Sequence, residues 1–296
     1  MDSVKIKALL RAAELGSLTK AAEELGYTQA GLTHMMNRLE AEVGFELLLR
    51  NKNGVKLTPE GEKLLPYLKD FSIAHEQLKR AVDETSRGLG EIVRIGTYTS
   101  ILKLWLPTVI NGFKKISPEI RIEIHDLGIN AMYDRVSISE IDLAFGSFCP
   151  SDDCDFIPLK KDPFYAVLPK SGTEFDGLSS VPITALSGKS FIMPTYGYDP
   201  DILEALHKNS VTPILNTISV SDSAVAALVE IGLGMTILPE LVLNSIDKSG
   251  VEIKRLLPDC SRELGIIIPK GKIKSPIVRS FVEYSENVIK ENFGDD

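Results

Sequence analysis

Apolar positions near the N-terminus recur at helical spacing. Val4, Ile6, Leu9, Leu10 and Ala13 share one face of a first helix, which Gly16 closes. A shorter pattern follows through Ala21, Ala22 and Leu25, with Ser17 and Thr19 as capping residues. Gly26 lies four residues beyond Ala22, where a tight interhelical turn needs a residue that tolerates positive φ. A third helix, capped by Thr28, carries Leu32, Met35 and Leu39 and runs to about Val43. From Leu47 to Leu57 the pattern becomes two strands turning at Asn53-Gly54, a dipeptide favoured in hairpins. Three helices and a wing in this order predict a winged helix-turn-helix, a unit that reads DNA, over residues 1–58.

Residues 59–90 predict one long helix and a hinge. Thr58 caps it, and Pro59 stands in the first turn, where its missing N–H costs nothing. Leu64, Leu68, Phe71, His75, Leu78, Val82, Thr85 and Leu89 follow a 4-3 spacing, the seam of a helix paired with a partner. Pro66 predicts a kink, and Arg87-Gly88-Leu89-Gly90 a hinge.

Residues 91–296 alternate strand and helix patterns, which implies an α/β sheet. Strands are expected at Ile92–Gly96, Ile120–Ile124 and Ile141–Phe145, with one helix from Leu102 to Phe113. Val167-Leu168-Pro169-Lys170 and Ile267-Ile268-Pro269-Lys270 are near-copies, read as two crossovers between lobes. That reading gives lobe one as about 91–168 and 269–296, and lobe two as about 169–268, with Ser190–Pro194 as a strand and Ala224–Val229 as a helix of lobe two. A last helix runs from about Pro276 to Asn292.

The net charge of −8 is unexpected for a DNA binder until it is divided. Residues 1–58 hold 8 Lys/Arg and 7 Asp/Glu, leaving 25 and 34 for the rest. No acid occurs from Leu25 to Leu39, and Arg50 to Lys56 hold three cations and no acid. Exposed charges act over a reach of about 10 Å at 0.1 M salt, so this local surface decides.

No apolar run approaches the roughly 20 residues of a membrane span, and Met1–Lys5 lacks the apolar core of a signal peptide, so a cytoplasmic location is expected. Cys149, Cys154 and Cys260 have no zinc spacing and the four histidines are scattered, so no metal site is expected. Cys149 and Cys154 read as small loop residues, with a redox pair as the alternative. There is no Gly-x-Ser-x-Gly elbow, phosphate loop or dinucleotide fingerprint, so neither an enzyme nor a cofactor is expected.

The run Gly16-Ser17-Leu18-Thr19-Lys20-Ala21-Ala22 through Gln29 to Arg38-Leu39-Glu40, then Gly44, Leu47, Arg50 and Leu57-Thr58-Pro59-Glu60-Gly61, resembles the LysR-type transcriptional regulators. Ile141-Asp142-Leu143-Ala144 and Leu228-Val229-Glu230-Ile231-Gly232-Leu233-Gly234-Met235-Thr236-Ile237-Leu238-Pro239 resemble that family's less specific signatures. Leu48 and Ala30-Gly31 depart from its usual residues. The resemblance implies a winged helix-turn-helix, a dimerising linker helix and a two-lobed α/β effector domain like periplasmic solute-binding proteins. It implies double-stranded DNA and a small-molecule effector as partners, assembly as a homodimer or dimer of dimers, and action on RNA polymerase.

Specificity should come from base edges and affinity from phosphates. Thr28, Gln29, Ala30, Thr33 and His34 lie on the first two turns of the recognition helix, and Gln29 can pair in bidentate fashion with adenine. Arg38 and Arg50 are candidate phosphate contacts, with Lys52 and Lys56 on the wing; an Arg38–Glu42 ion pair is the alternative for Arg38. Ligands of open α/β sheets bind beyond the C-terminal ends of strands, where Tyr98, Thr99 and Ser100 follow the first strand. Hydroxyls with free N–H groups at a helix start suit a small organic anion. Ser221 holds the matching place in lobe two, although the adjacent Asp222 repels an anion. Gly146, Ser147 and Phe148, with Thr195 and Tyr196, complete the expected cleft, and no arginine lies in these loops.

Overall fold

The computed structural model describes residues 2–51, 54–87, 91–170, 172–216, 221–271, 273 and 275–294. The chain divides into two compact units, one built from residues 1–89 and the other from almost all of residues 90–296.

The first unit contains α1 (Ser3–Leu15), α2 (Leu18–Leu25), α3 (Gln29–Val43), β1 (Leu48–Asn51), β2 (Gly54–Leu57) and α4 (Pro59–Arg87). Its helix ends follow local chemistry. Ser17 accepts from the Lys20 N–H, Thr28 accepts from the Gly31 N–H, and Gly16 and Gly26 adopt φ of 59° and 73°. Ile6, Leu9, Ala12, Ala21, Ala22, Leu32, Met36, Leu39 and Leu47 are buried together as its core. Two expectations move along their helices. Val4 is half exposed while Ala8 is buried, and Met36 rather than Met35 completes the α3 face. Leu32, Met36 and Leu39 stand at i, i+4 and i+7, which puts Met35 on the flank.

The wing is antiparallel, with Leu48 opposite Leu57 and Asn51 opposite Gly54. The expected turn at Asn53 and the lysine at 52 lie outside the described residues. Val55 donates its N–H to the Gly16 carbonyl at 2.9 Å, tying the wing to the α1–α2 turn. A Cβ at Gly54 would meet that same oxygen at 2.4 Å, and Gly54 has φ of 120°.

Helix α4 starts where Thr58 accepts from the Gly61 N–H at 3.0 Å and donates to the Glu46 carbonyl at 2.8 Å. It continues on both sides of Pro66. The predicted seam divides: Leu68 is buried in the core of its own unit and Leu64 packs beside it, while Phe71, Leu78 and Val82 are exposed. Phe71 and His75 stack with ring centroids 6.4 Å apart. The Thr85 side chain, Leu89 and the glycines of the hinge lie outside the described residues.

The second unit runs β3 (Ile92–Thr97), α5 (Thr99–Leu104), α6 (Leu106–Ile116), β4 (Arg121–Asp126), α7 (Ile129–Ser137), β5 (Leu143–Ser147) and β6 (Cys154–Pro169). Next come β7 (Ser180–Pro182), a 3₁₀ turn (Ile183–Leu186), β8 (Ser190–Ile192), α8 (Pro194–Gly197), α9 (Pro200–Lys208) and β9 (Ile214–Asn216). It ends with α10 (Asp222–Glu230), β10 (Thr236–Pro239), α11 (Glu240–Leu243), β11 (Val251–Leu257), β12 (Ser261–Pro269) and α12 (Pro276–Phe293). The single helix expected from Leu102 to Phe113 is two, broken at Trp105, because Pro107 has no N–H to continue the ladder.

Strand β3 lies parallel to β4 and β5, β12 runs antiparallel beside β5, and β6 follows, giving lobe one the order β4-β3-β5-β12-β6. The 16-residue β6 then changes partners. Cys154–Pro163 pairs with β12, whereas Phe164–Pro169 lies between β10 and β11 of lobe two. The chain therefore crosses near Pro163–Phe164 and returns just before Ser261. The near-copies at 167–170 and 267–270 are not the crossings. One lies inside lobe two and the other at the far end of β12, so the register moves the boundaries inward from 168 and 269. Lobe one packs Trp105, Phe113, Phe145 and Phe281 in its core, and lobe two packs Phe164, Phe191, Ile202 and Leu256.

Gly54→Ala is expected to lower the unfolding free energy of the first unit by about 1–3 kcal/mol, from the Cβ contact and the positive φ together. Urea unfolding of the full chain measures this, and a variant as stable as wild type would show that the wing can detach from the Gly16 turn.

Candidate nucleic-acid interface and ligand cleft

Helix α3 turns Leu32, Met36 and Leu39 inward, so its opposite face carries Ala30, His34 and Arg38, while Gln29 stands above the core side at the start of the first turn; all four are exposed. Thr28 is exposed at the cap. Thr33 is half-buried and its hydroxyl donates to the Gln29 carbonyl at 2.9 Å, leaving its methyl and lone pairs for a partner. Arg38 forms no ion pair with any described carboxylate. The alternative partner, Glu42, is instead bonded to Lys5. Lys56 is exposed on β2 opposite Leu49.

Arg50 behaves differently from the expectation. Its guanidinium donates to Asn37 Oδ1 at 2.7 Å and to Glu40 Oε2 at 2.6 Å. The other Glu40 oxygen accepts the N–H groups of Leu47 and Leu48 at 2.8 and 3.0 Å. A single carboxylate at the end of the recognition helix thus fixes both the strand entry and the arginine of the wing. Arg50 is held by Glu40, which offsets its charge, whereas the other candidate phosphate contacts among the described residues, Arg38 and Lys56, carry no such pair. Glu40 was not singled out from sequence, because its partners are backbone groups that only the fold brings near.

In the second unit, polar residues converge where the two lobes meet. Tyr98, which precedes α5, and Ser147, at the end of β5, share a hydrogen bond of 2.8 Å between their hydroxyls. The Arg262 guanidinium lies over the Tyr98 ring at 5.2 Å. Arg262 stands opposite Asp162 in the β6–β12 register, and its Nε donates to Asp162 Oδ2 at 2.9 Å. Its Nη2 is also 2.9 Å from that oxygen, an ion-pair contact that makes no hydrogen bond. From lobe two, Asp201 in the first turn of α9 brings Oδ2 within 3.6 Å of Arg262 Nη1. Asp199 caps α9 by accepting the Ile202 N–H, and Thr195, with φ of 52°, donates its N–H and hydroxyl to Asp222 and lies within hydrogen-bond reach of Asp199.

This environment moves the titrations. Burial opposes the Arg262 charge, but Asp162, Tyr98 and Asp201 outweigh it and hold the guanidinium pKa above its usual range. Burial raises the Asp201 carboxyl, against the pull of Arg262 and a hydrogen bond from Ser147, with Asp199 adding to the rise. Burial likewise raises Asp222, against the Thr195 N–H. Burial also raises the Tyr98 phenol, which stays neutral.

The other expected cleft residues scatter. Thr99 is exposed, with its hydroxyl on Asp126 at 2.6 Å, and Ser100 is buried in the first turn of α5. Gly146 faces away from the cleft: a Cβ there would meet Met132, Ile129 and Ile267 in the core under α7. Phe148 is exposed against Phe156 at 5.3 Å. Ser221 is the N-cap residue of α10, and the Tyr196 side chain lies outside the described residues. Sequence reasoning missed Arg262, Asp162, Asp199 and Asp201. The available signal was the Asp-Pro-Asp start of α9; Asp162 and Arg262 stand among other charged residues in the same parts of β6 and β12 and carry none. Burial pushes the Cys154 thiol up to about 11 and raises Cys149 as well, which disfavours a reactive thiolate at either. Among the described residues no His, Cys, Asp or Glu group is arranged to hold a metal ion, and no helix is long and apolar enough to cross a membrane.

Residues 4–62 match the model of bacterial regulatory helix-turn-helix proteins of the lysR family, and residues 86–289 match the LysR substrate binding domain. The HTH-type transcriptional regulator YvbU of Bacillus subtilis (strain 168) is 26% identical, with 99% of each chain covered. The transcriptional dual regulator GltC of the same organism is 26% identical over 96% of each chain. Full-length BenM superposes with a TM-score of 0.59 at 23% identity, covering 98% of this chain and 97% of that one. Full-length CbnR complexed with target DNA gives a TM-score of 0.54 at 19% identity, over 97% and 99%. Both structures are likenesses of fold.

Glu40→Ala is expected to cost about 1–3 kcal/mol in the first unit by orphaning two strand N–H groups, and Glu40→Gln to recover most of it through its amide oxygen. Chemical denaturation of the two variants separates these outcomes; equal losses would assign the effect to the Arg50 charge alone. For Asp222→Asn, thermal unfolding should equal or exceed wild type at pH 7.5. A raised folded pKa means that wild type gains stability as pH falls toward the ordinary Asp value of about 3.9, so the variant's advantage should shrink there. An advantage that grows on acidification would contradict the raised carboxyl.

Proposed function

Because the chain belongs to the LysR family of bacterial transcriptional regulators, we propose that Gln29, Ala30, His34 and Arg38 of α3 are its DNA-contacting residues and that its effector lies among Tyr98, Ser147, Thr195 and Arg262. The protein is a DNA-binding regulator with an effector-binding domain. What supports the finer reading is the exposed, acid-free face of a helix whose opposite side is fully committed to the core. Gln29 reads a base edge, Thr28 and Thr33 border it, and Arg38, Lys52 and Lys56 neutralise phosphates. Its action is that of a regulator in the cytoplasm rather than of an enzyme.

The exposed Phe71, Leu78 and Val82 on α4 support a homodimer paired along this helix, and a dimer of dimers follows if the second unit also associates. The effector is a small organic anion. It binds where the lobes meet, changes their closure and so the spacing of paired DNA-binding units, and through them the engagement of RNA polymerase. Burial of Ser147 at the end of β5 and of Arg262 on the crossing strand β12 supports this placement.

Selection of genomic fragments by the purified protein at about 0.15 M salt, where counterion competition suppresses non-specific binding, tests the reading. Wild type should enrich a few sites with two-fold symmetry. Gln29→Ala should lose about 1–3 kcal/mol of discrimination at particular base pairs, while Arg38→Ala should weaken binding to operator and random DNA alike. Equal losses on both DNAs for both variants would refute the division of roles.

A further inference from the structure

The cleft holds one carboxylate in a position that a ligand's acid group would be expected to take. Asp201 is brought by a lobe-two helix to residues of the other lobe and of the crossing strands: its Oδ2 is 3.6 Å from Arg262 Nη1. On the other lobe, Ser147 and Tyr98 share a hydrogen bond of 2.8 Å between their hydroxyls, and the Tyr98 ring lies against the same guanidinium. All of these side chains are buried or nearly so, and the Asp201 side chain is only 14% exposed. The pair is not saturated. Arg262 Nη2 is buried without a hydrogen-bond acceptor, although Asp162 lies beside it.

Charge limits what can enter. Asp162 and Asp201 already flank a single guanidinium, so a further anion added to this arrangement meets repulsion in a place where water screens poorly. An anion exchanged for Asp201 leaves the charge unchanged. A ligand carboxylate with two oxygens can also reach the unmet Nη2, which Asp201 at 3.6 Å from Nη1 does not.

Resting on the proposed placement of the effector, the geometry points to Asp201 as a built-in occupant of the cleft: its carboxylate holds the site at Arg262 that a carboxylate effector takes by displacing it, with the Ser147 hydroxyl as a further donor for the effector. The occupant is part of α9, so displacement moves lobe two against lobe one. Binding and the change of lobe closure become the same event, and the effector's affinity is reduced by whatever holds Asp201 in place.

The test uses the full-length protein with acetate as the probe and sodium chloride at equal ionic strength as the control. Wild type should show no acetate-specific change in the melting of the second unit. Asp201→Ala should show a saturable rise of about 2–4 °C at tens of millimolar acetate, removed again by adding Ser147→Ala. Asp201→Ser carries the same expectation if the alanine variant does not fold. An acetate response no larger than wild type in the folded variant overturns the proposal. A reporter driven by the selected operator then separates the two levels. If Ser147→Tyr, which fills the cleft, alters transcription while acetate has no effect, only the Asp201 assignment fails. If transcription is also unchanged, the effector placement fails with it.

Discussion

The ion pair between Arg262 and Asp162 is the constraint on which the two-lobed unit depends. The residues are opposite one another on β12 and β6, the strands through which the chain enters and leaves lobe two. Removing one partner of such a buried pair leaves an uncompensated charge, which is far more costly than replacing both. Asp162 is also fixed by the Leu241 N–H at 2.9 Å, so the pair anchors α11 as well as the crossing. The polar groups around it are referred to it: Tyr98 lies beneath the guanidinium and is bonded to Ser147, and Asp201 approaches from lobe two.

The first unit uses the same device on a smaller scale. Glu40 joins the end of the recognition helix to the wing through two backbone N–H groups and Arg50. The Gly16 carbonyl receives the Val55 N–H from the other side. With small Ala21 and Ala22 buried at the helix crossing, the exposed face of α3 is held by packing beneath it and polar clamps at its end. A reading surface needs this rigidity, since base contacts lose their value when their geometry wanders.

The acidic total is compatible with DNA binding because the charges are segregated. Much of the excess negative charge of the second unit lies far along the chain from the recognition helix, and two of its carboxylates, Asp162 and Asp201, are paired with Arg262. In the first unit several acids are already paired: Glu42 with Lys5, Glu14 and Glu24 with Arg11, and Glu40 with Arg50. What remains on the face of α3 is Arg38 among uncharged polar groups.

Sequence alone determined whatever depends on neighbours within a few residues. The caps Ser17, Thr28 and Thr58, the turn glycines Gly16 and Gly26, the exposed positions 29, 30, 34 and 38, and the alternation of strands and helices after residue 91 all follow from local chemistry and periodicity. Tyr98 and Ser147 were legible for the same reason, as residues at the C-terminal ends of parallel strands. Only the tertiary structure decided the rest. The crossings fall where β6 exchanges partners, which pairing across some hundred residues controls and a local near-copy cannot show. Gly146 faces a core because its strand is covered by α7, and Arg50 is a clamp because Glu40 is beside it. The polar centre of the cleft consists of residues 98, 147, 162, 201 and 262, drawn together from both lobes. No spacing in the chain encodes that meeting, since it arises from long-range strand register and from the burial that makes each charge require a partner.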